Sequence, residues 1–268
     1  MERKDYFYPD IDDKITASLM KEREPFEGYW EKSEKKVLNL IKESIQEHVK
    51  KTADSWFLDA GCGTGRLLPK FERHFNHILA IDPDPTQIKK AKSLVKKGGF
   101  AHKVVFQVTS IEKLDWRKES IDVILCSHIL QHVQTDSVPL ILRKFEELTK
   151  KEGLLFIMAT HSREKCDYYV KEYLENSKVV EERIEKEEFN SLIFNEKNIL
   201  PLRFFSRKSI IKELENSGFV LLDFRSFHVL GKASFLDKII DRDRLVNSVD
   251  FLKTRLGRDI LVTSRKTS

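Results

Sequence analysis

The chain has 268 residues, 40% of them hydrophobic and 34% charged, with a formal net charge of +5. It can bury a sizeable core as one domain with insertions or as a domain with a small cap. The mild basic excess suits an anionic ligand but falls short of a nucleic-acid footprint. The three cysteines, Cys62, Cys126 and Cys166, build no disulfide framework and lack the paired spacing of a zinc site, so a reducing, cytoplasmic setting without a metal is expected. No run approaches the roughly 20 apolar residues of a membrane span, and Met1 to Asp5 leads into no apolar signal segment, so no membrane partner is expected.

Residues 5–30 are irregular and aromatic-rich, with Tyr6, Phe7, Tyr8, Phe26, Tyr29 and Trp30 broken by Pro9 and Pro25. They read as an arm that either covers a site or packs on the domain. From Ser33, the three- and four-residue spacing of Val37, Leu38, Ile41, Ile45 and Val49 predicts an amphipathic helix beside the first strand. That strand, Trp56-Phe57-Leu58-Asp59-Ala60, runs into Gly61, Gly63 and Gly65 and then an amphipathic stretch from Arg66. Strand, glycine turn and helix N-terminus together offer a ligand bare backbone and unpaired N–H groups.

A second strand, Ile78 to Asp82, ends in an acid followed by Pro83; Asp82 lies 19 residues beyond Gly63. An acid placed there can accept hydrogen bonds from both ribose hydroxyls of a nucleoside. The competing reading is an aspartate that caps a helix. A helix from Thr86 to Lys97 follows, then strands Lys103 to Val108 and Ile121 to Cys126, a helix Val138 to Lys150, and the strand Leu154 to Ala159. Such alternation implies a parallel sheet covered on both faces, with the crevice at the strands' carboxyl ends. Those ends carry Asp59, Asp82, Thr109-Ser110, Ser127-His128 and Thr160-His161.

Residues 162–200, where aromatics and branched residues sit among many charges, read as two amphipathic helices inserted after the fifth strand to shape specificity. A helix capped by Ser206 and ended by Gly218, the strand Phe219 to Phe224, a mixed excursion 231–256 and a strand 258–265 close the pattern. The expected division is an arm over 1–32, a core over 33–161, a cap insertion over 162–203 and the rest of the core over 204–268.

The order D-A-G-C-G-T-G after strand one, I-D-P after strand two, and a late pair of strands separated by an excursion resembles the class I methyltransferases that use S-adenosylmethionine, with a core of the type 11/25 kind. The pattern G-x-G-x-G departs from the dinucleotide fingerprint G-x-G-x-x-G. The resemblance covers residues 55–160 strongly and 204–265 moderately. It implies a Rossmann-like, seven-stranded, mostly parallel α/β sheet with helices on both faces, an antiparallel last strand and a helical cap. It further implies that the backbone of Gly61, Cys62, Gly63, Gly65 and Arg66 lies along the cofactor's amino-acid part, with Asp59 near its ammonium and Asp82 on the ribose. Ser110 stands where many relatives carry an aspartate for the adenine, with Ile111 and Pro83 available to sandwich the ring. Ser127 and the segment through Val133 would pass beside the methyl group.

Transfer of a sulfonium methyl needs alignment and sometimes a base. His128, His161 and His132 fall at the reactive edge and are base candidates, each with packing as the competing role. Arg163, Arg203 and Arg207 could clamp an anionic substrate group, and Tyr8 and Tyr29 could touch the substrate. The expected reaction is methylation of oxygen or nitrogen on a small molecule or short peptide, leaving S-adenosylhomocysteine. An RNA or protein methyltransferase is the alternative within the class, nucleic acid being the less favoured partner. A non-catalytic methyltransferase-like scaffold is the alternative outside it.

Overall fold

Strand runs that are apolar at nearly every position, such as Ile78-Leu79-Ala80-Ile81, are stable only when covered on both faces. In the computed structural model, which describes residues 28–176, 178–193, 199–229 and 241–267, these runs form the centre of a seven-stranded sheet. Its strands are β1 (Trp56–Ala60), β2 (His77–Asp82), β3 (Val104–Val108), β4 (Ile121–Ser127), β5 (Thr149–Thr160), β9 (Phe219–Phe227) and β10 (Asp259–Lys266). They lie in the order β3-β2-β1-β4-β5-β10-β9. Pairing is parallel from β3 through β5, and β10 runs antiparallel to both β5 and β9. The expected mostly parallel sheet with an antiparallel last strand is therefore present.

Alternate side chains serve opposite faces, as the two-residue strand period requires. Leu58, Ile81, Ile124 and Ile157 pack with α4 (Ser137–Leu148) and α6 (Arg207–Asn216). Phe57, Ile78, Leu125 and Phe156 pack on the other side with α1 (Tyr29–His48), α2 (Leu68–Phe71) and α3 (Pro85–Lys97). Ser206 caps α6 as expected, its side chain accepting from the N–H of Ser209, whereas α3 is capped by Asp84, which accepts from the N–H of Thr86, and not by Asp82. Helix α1 begins at Tyr29 rather than Ser33, and β5 at Thr149 rather than Leu154.

The expected helical cap is corrected. The described residues between 168 and 204 form a three-stranded antiparallel sheet, β7-β6-β8, from β6 (Tyr168–Glu175), β7 (Lys178–Ile184) and β8 (Ile199–Phe204), together with the short helix α5 (Lys186–Leu192). Val170 of β6 meets Leu200, Leu202 and Phe204 in a small core of its own. Glu172, two residues beyond Val170 and so on the same face, is 1% exposed and ion-paired with Arg258 at 3.1 Å. A charged residue on the inward face breaks the alternation that would have marked a strand.

The cap is fastened above the carboxyl ends of β4 and β5. The hydroxyl of Thr160 donates to the Arg203 carbonyl at 2.5 Å, and the Thr135 N–H donates to Asn190 Oδ1 at 3.0 Å. Arg203, 5% exposed, donates to Asp167 through Nε (2.9 Å) and Nη2 (2.7 Å), while Asp167 also accepts from the N–H and hydroxyl of Ser206. Two short helices, α7 (Arg242–Asn247) and α8 (Asp250–Lys253), precede β10. Tyr8 and most of the expected arm, with residues 231–240 of the expected excursion, lie outside the described residues.

Candidate active site

The glycine turn is built where β1 ends between its neighbours β2 and β4, the point at which the strand order reverses and open α/β sheets bind ligands. Gly61, Gly63 and Gly65 all have positive φ, at 73°, 51° and 79°. Their reasons differ. A Cβ on Gly61 would strike Ile129, whereas nothing lies within 4 Å of where a Cβ on Gly63 would stand. Gly61 is therefore required by packing, and Gly63 holds backbone open toward the crevice. Asp82 fixes the turn: its carboxylate accepts the Gly63 N–H at 2.9 Å and the Asp84 N–H at 2.9 Å. A carboxylate oxygen accepts more than one hydrogen bond, so capacity for ribose hydroxyls remains.

Asp59 occupies the β1 position two beyond Phe57, on a face otherwise packed with apolar side chains. It is 2% exposed, and its Oδ2 has no hydrogen-bond partner. Burial, reinforced by the charge of Asp82, pushes its pKa from 3.8 up to about 7. A buried oxygen left unpaired is costly, and a cationic group would relieve both the burial and the repulsion. Burial likewise raises the thiols of Cys62 and Cys126; neither is poised as a nucleophile.

Arg66 leaves the turn to make a two-pronged pair with Glu34 of α1 at 2.6 and 2.7 Å. Thr109 donates its hydroxyl to the Ser110 carbonyl at 3.1 Å, Ser110 and Pro83 are half-buried, and the Ile111 side chain is buried in the core. Ser127 is half-buried, with its hydroxyl 3.7 Å from the Met158 sulfur.

The three histidines separate. His128, directly after β4, has φ 57°, a left-handed conformation costly for a side chain of this size. Its N–H donates to the Met158 carbonyl at 2.8 Å, and its Nδ1 lies 3.3 Å from Gln131 Oε1, which also accepts the Thr160 N–H at 2.9 Å. Burial holds its pKa below the ordinary value, partly opposed by Asp259. His132 is buried with Nδ1 3.3 Å from the Pro201 carbonyl of β8, and burial drives its pKa to about 3. A permanently neutral imidazole tied to the cap is a packing group. His161, 1% exposed, lies edge-on to Phe224 and lines a cavity of about 60 Å³ with Tyr168, Phe204, Leu256 and Arg258. None of the glycine-turn residues lines that cavity. Burial lowers its pKa to about 4.

Groups that the motifs did not single out stand at the same edge. Strand β9 ends at Phe227 and β10 begins at Asp259, cross-strand partners that bring His228 and Asp259 together. The His228 Nδ1 is 2.5 Å from Asp259 Oδ2, and both residues are buried. Burial alone would raise Asp259, yet the hydrogen bond and charge of His228 hold it below its ordinary value. The charge of His228 also acts on His128 and on Glu34, which links this pair to the β4 end and, through Arg66, to the glycine turn. No local motif marks His228; the signal was its place one residue beyond a strand end.

Among the arginine candidates, Arg203 is committed to Asp167 inside the protein and stacks on Phe205 at 4.3 Å, so it does not stand as a substrate clamp. Arg163 and Arg207 line a broad hollow of about 820 Å³ together with Lys165, Lys208, Lys212 and Arg255. Tyr29, 9% exposed, rests against Trp30 and His228 rather than in the glycine turn. Among the described residues no group of three or more His, Cys, Asp or Glu could hold a metal ion, and no helix is long and apolar enough to cross a membrane.

Strand order, glycine turn and paired acids define a Rossmann-like fold with a nucleoside crevice. Residues 58–157 match the family model described as a methyltransferase domain, nearly the span on which the motif resemblance rests. The chain is 32% identical over 100 residues to a ubiquinone biosynthesis O-methyltransferase of Rhodopseudomonas palustris (strain BisB5), covering 37% of this chain and 38% of that protein. It is 26% identical over 200 residues to the ubiquinone/menaquinone biosynthesis C-methyltransferase UbiE of Campylobacter jejuni (strain ATCC 700819 / NCTC 11168), covering 67% of this chain and 77% of that one. Among solved structures it superposes on the 1,6-didemethyltoxoflavin-N1-methyltransferase of Burkholderia thailandensis, solved with S-adenosylhomocysteine bound. That match has a TM-score of 0.54 and 16% identity, covering 94% of this chain and 89% of the other. The chain thus spans well under half the length of the O-methyltransferase it matches.

Proposed function

We propose that this protein transfers a methyl group from S-adenosylmethionine to an oxygen or nitrogen nucleophile of a small molecule. One observation carries the cofactor half of that reading: the orphaned Oδ2 of Asp59 beside the open backbone of Gly63, which Asp82 holds in place. Asp59 would pair with the ammonium group, Asp82 would accept from the ribose hydroxyls, and the backbone of Gly61 to Gly65 would lie along the amino-acid part. S-adenosylmethionine supplies an electrophilic sulfonium methyl when bound. The chain's own work is then to align the acceptor and exclude water, for which Ile129, partly exposed beside the turn at the β4 end, offers apolar surface. The relatives' names support a small-molecule acceptor, since they refer to quinone biosynthesis and to didemethyltoxoflavin.

Calorimetry with S-adenosylmethionine tests the cofactor assignment: binding is expected, and Asp82→Ala should weaken it by about 100-fold or more, since a buried hydrogen-bonded charge carries on the order of 3 kcal/mol. Unchanged affinity in that variant would remove the assignment. A second reading, an RNA methyltransferase, draws on the hollow lined by Arg163, Lys165, Arg207, Lys208, Lys212 and Arg255. RNA retention that fades steeply with salt would favour it.

A further inference from the structure

We propose that His228, oriented by Asp259, is the general base of the transfer and that the acceptor is a hydroxyl group, as in an alcohol, phenol or enol. This rests on the methyltransferase reading above and adds to it a base and a substrate class.

The geometry assigns the protons. Asp259 is ionised and accepts from His228 through a 2.5 Å contact, so Nδ1 carries a hydrogen, and in the neutral form of the ring, the form that acts as a base, Nε2 carries the lone pair. That Nε2 is buried and has no hydrogen-bond partner. The indole of Trp30 meets the His228 ring edge-on with centroids 4.1 Å apart, and its Nε1–H is also buried without a partner. Buried polar atoms without partners are rare in folded proteins, and here an unused acceptor and an unused donor sit on touching rings. A hydroxyl can donate to the first and accept from the second. A neutral amine has a single lone pair, which attack on the methyl carbon uses, so it leaves Trp30 unanswered, whereas a hydroxyl oxygen keeps a second lone pair for it.

The backbone shows the same commitment. His228 has φ 53°, in the left-handed region that a histidine seldom occupies. It is pinned there on both sides: its N–H donates to Ser33 Oγ of α1 at 3.3 Å, and its carbonyl accepts the Arg258 N–H at 3.1 Å. Charged or titratable neighbours from the surrounding elements are Tyr29 and Glu34 on α1, His128 after β4, Asp243 on α7, and Arg258 and Asp259 at the start of β10. Pinning an imidazole this firmly between a carboxylate and an aromatic wall is the arrangement that orients a base.

In the step itself, the acceptor oxygen gives its proton to Nε2 and forms a bond to the methyl carbon, while the carbon–sulfur bond breaks with its electron pair going to sulfur. The imidazolium afterwards returns its proton to water, so the balance is a methyl ether, a neutral thioether and one released proton.

Two independent measurements test this. Long-range proton–nitrogen correlation spectra of the histidine side chains in the unliganded protein should show His228 as the neutral Nδ1–H tautomer, and Asp259→Asn should redistribute it; an Nε2–H tautomer in the parent protein overturns the proposal without any variant having to fold. In turnover assays with a panel of phenols, alcohols and amines, methyl transfer to hydroxyl acceptors is expected. His228→Gln should lower kcat by about 10²- to 10⁴-fold and abolish the rise of rate with pH, with cofactor affinity by calorimetry unchanged. A parent-like rate and pH profile in a folded His228→Gln protein, or transfer to amines alone, overturns it. Absence of cofactor binding in the parent protein would sink the methyltransferase reading, whereas the tautomer spectra judge the dyad separately.

Discussion

Replacing Asp59 by Asn should stabilise the unliganded protein at alkaline pH while spoiling its cofactor site. Asp59 titrates at about 7 in the folded protein against 3.8 for the free group, chiefly because it is buried and secondly because Asp82 is near. The sign follows from proton counting. Between pH 4 and 7 the unfolded chain has lost this proton and the folded chain has kept it, so stability falls as pH rises through that window and is constant above it. With each pH unit worth about 1.4 kcal/mol, the accumulated cost above pH 7 is about 4 kcal/mol. Asn keeps the shape and removes the charge, so the variant should melt on the order of 10 °C higher than the parent near pH 8. Near pH 4.5, where the folded parent is also neutral at this position, the two should nearly coincide. Thermal unfolding followed by circular dichroism from pH 4 to 8.5 measures both limbs. Saturating S-adenosylmethionine should reverse the order at pH 8, because binding stabilises only the protein that still binds. A melting difference that does not change with pH, or an Asn variant less stable at pH 8 without cofactor, would refute the reasoning.

The two central glycines should fail in different ways. Gly61→Ala sets a methyl against Ile129 as well as forcing φ 73° on alanine, so it should lower stability by about 3 kcal/mol or more. Gly63→Ala meets no neighbour, so denaturant melts should show only the ~1 to 2 kcal/mol of backbone strain while calorimetry shows cofactor affinity largely lost. In the cap, Asp167→Ala strands the Arg203 guanidinium in the interior and should cost about 3 to 5 kcal/mol, with limited proteolysis opening residues 162–204 first; parent-like cleavage there would show that the pair does not secure the cap.

Much of the core was legible because its signals are local. Apolar runs of five or six residues, a glycine turn after the first, an acid at the end of the second and the helix cap at Ser206 each depend on neighbours in sequence, and each stands where the structure has it; the cap at Asp84, two residues beyond the aspartate considered for that role, comes from the structure. The cap was not legible for an equally physical reason. Glu172 lies on the inward face of β6 and is neutralised by Arg258, which is 86 residues away, while β7 presents charges along most of its length. Charges at buried positions erase the two-residue period and leave aromatics at spacings that suit a helix. At the candidate site, Asp59, Asp82 and His128 stand out in the sequence because they lie at strand ends. His228 and Asp259 were missed because they are 31 residues apart and meet only through antiparallel pairing. The histidines that sequence position favoured separate on burial: His132 ties down the cap and His161 lies beneath it.

The place of β10 has a bearing on how the molecule assembles during synthesis. This strand comes after all the others in chain order yet lies inside the sheet, between β5 and β9. Until residues 259–266 have left the ribosome, β5 and β9 present open edges that can pair with other chains. The contacts that close them span more than 90 residues on the β5 side, a topology that slows folding and lengthens that exposure. The same strand delivers Asp259, so His228 acquires its carboxylate only when the sheet closes. Nascent chains stalled short of residue 259 should therefore depend on a chaperone and lack the His228–Asp259 contact, which forms in the same event that seals the sheet.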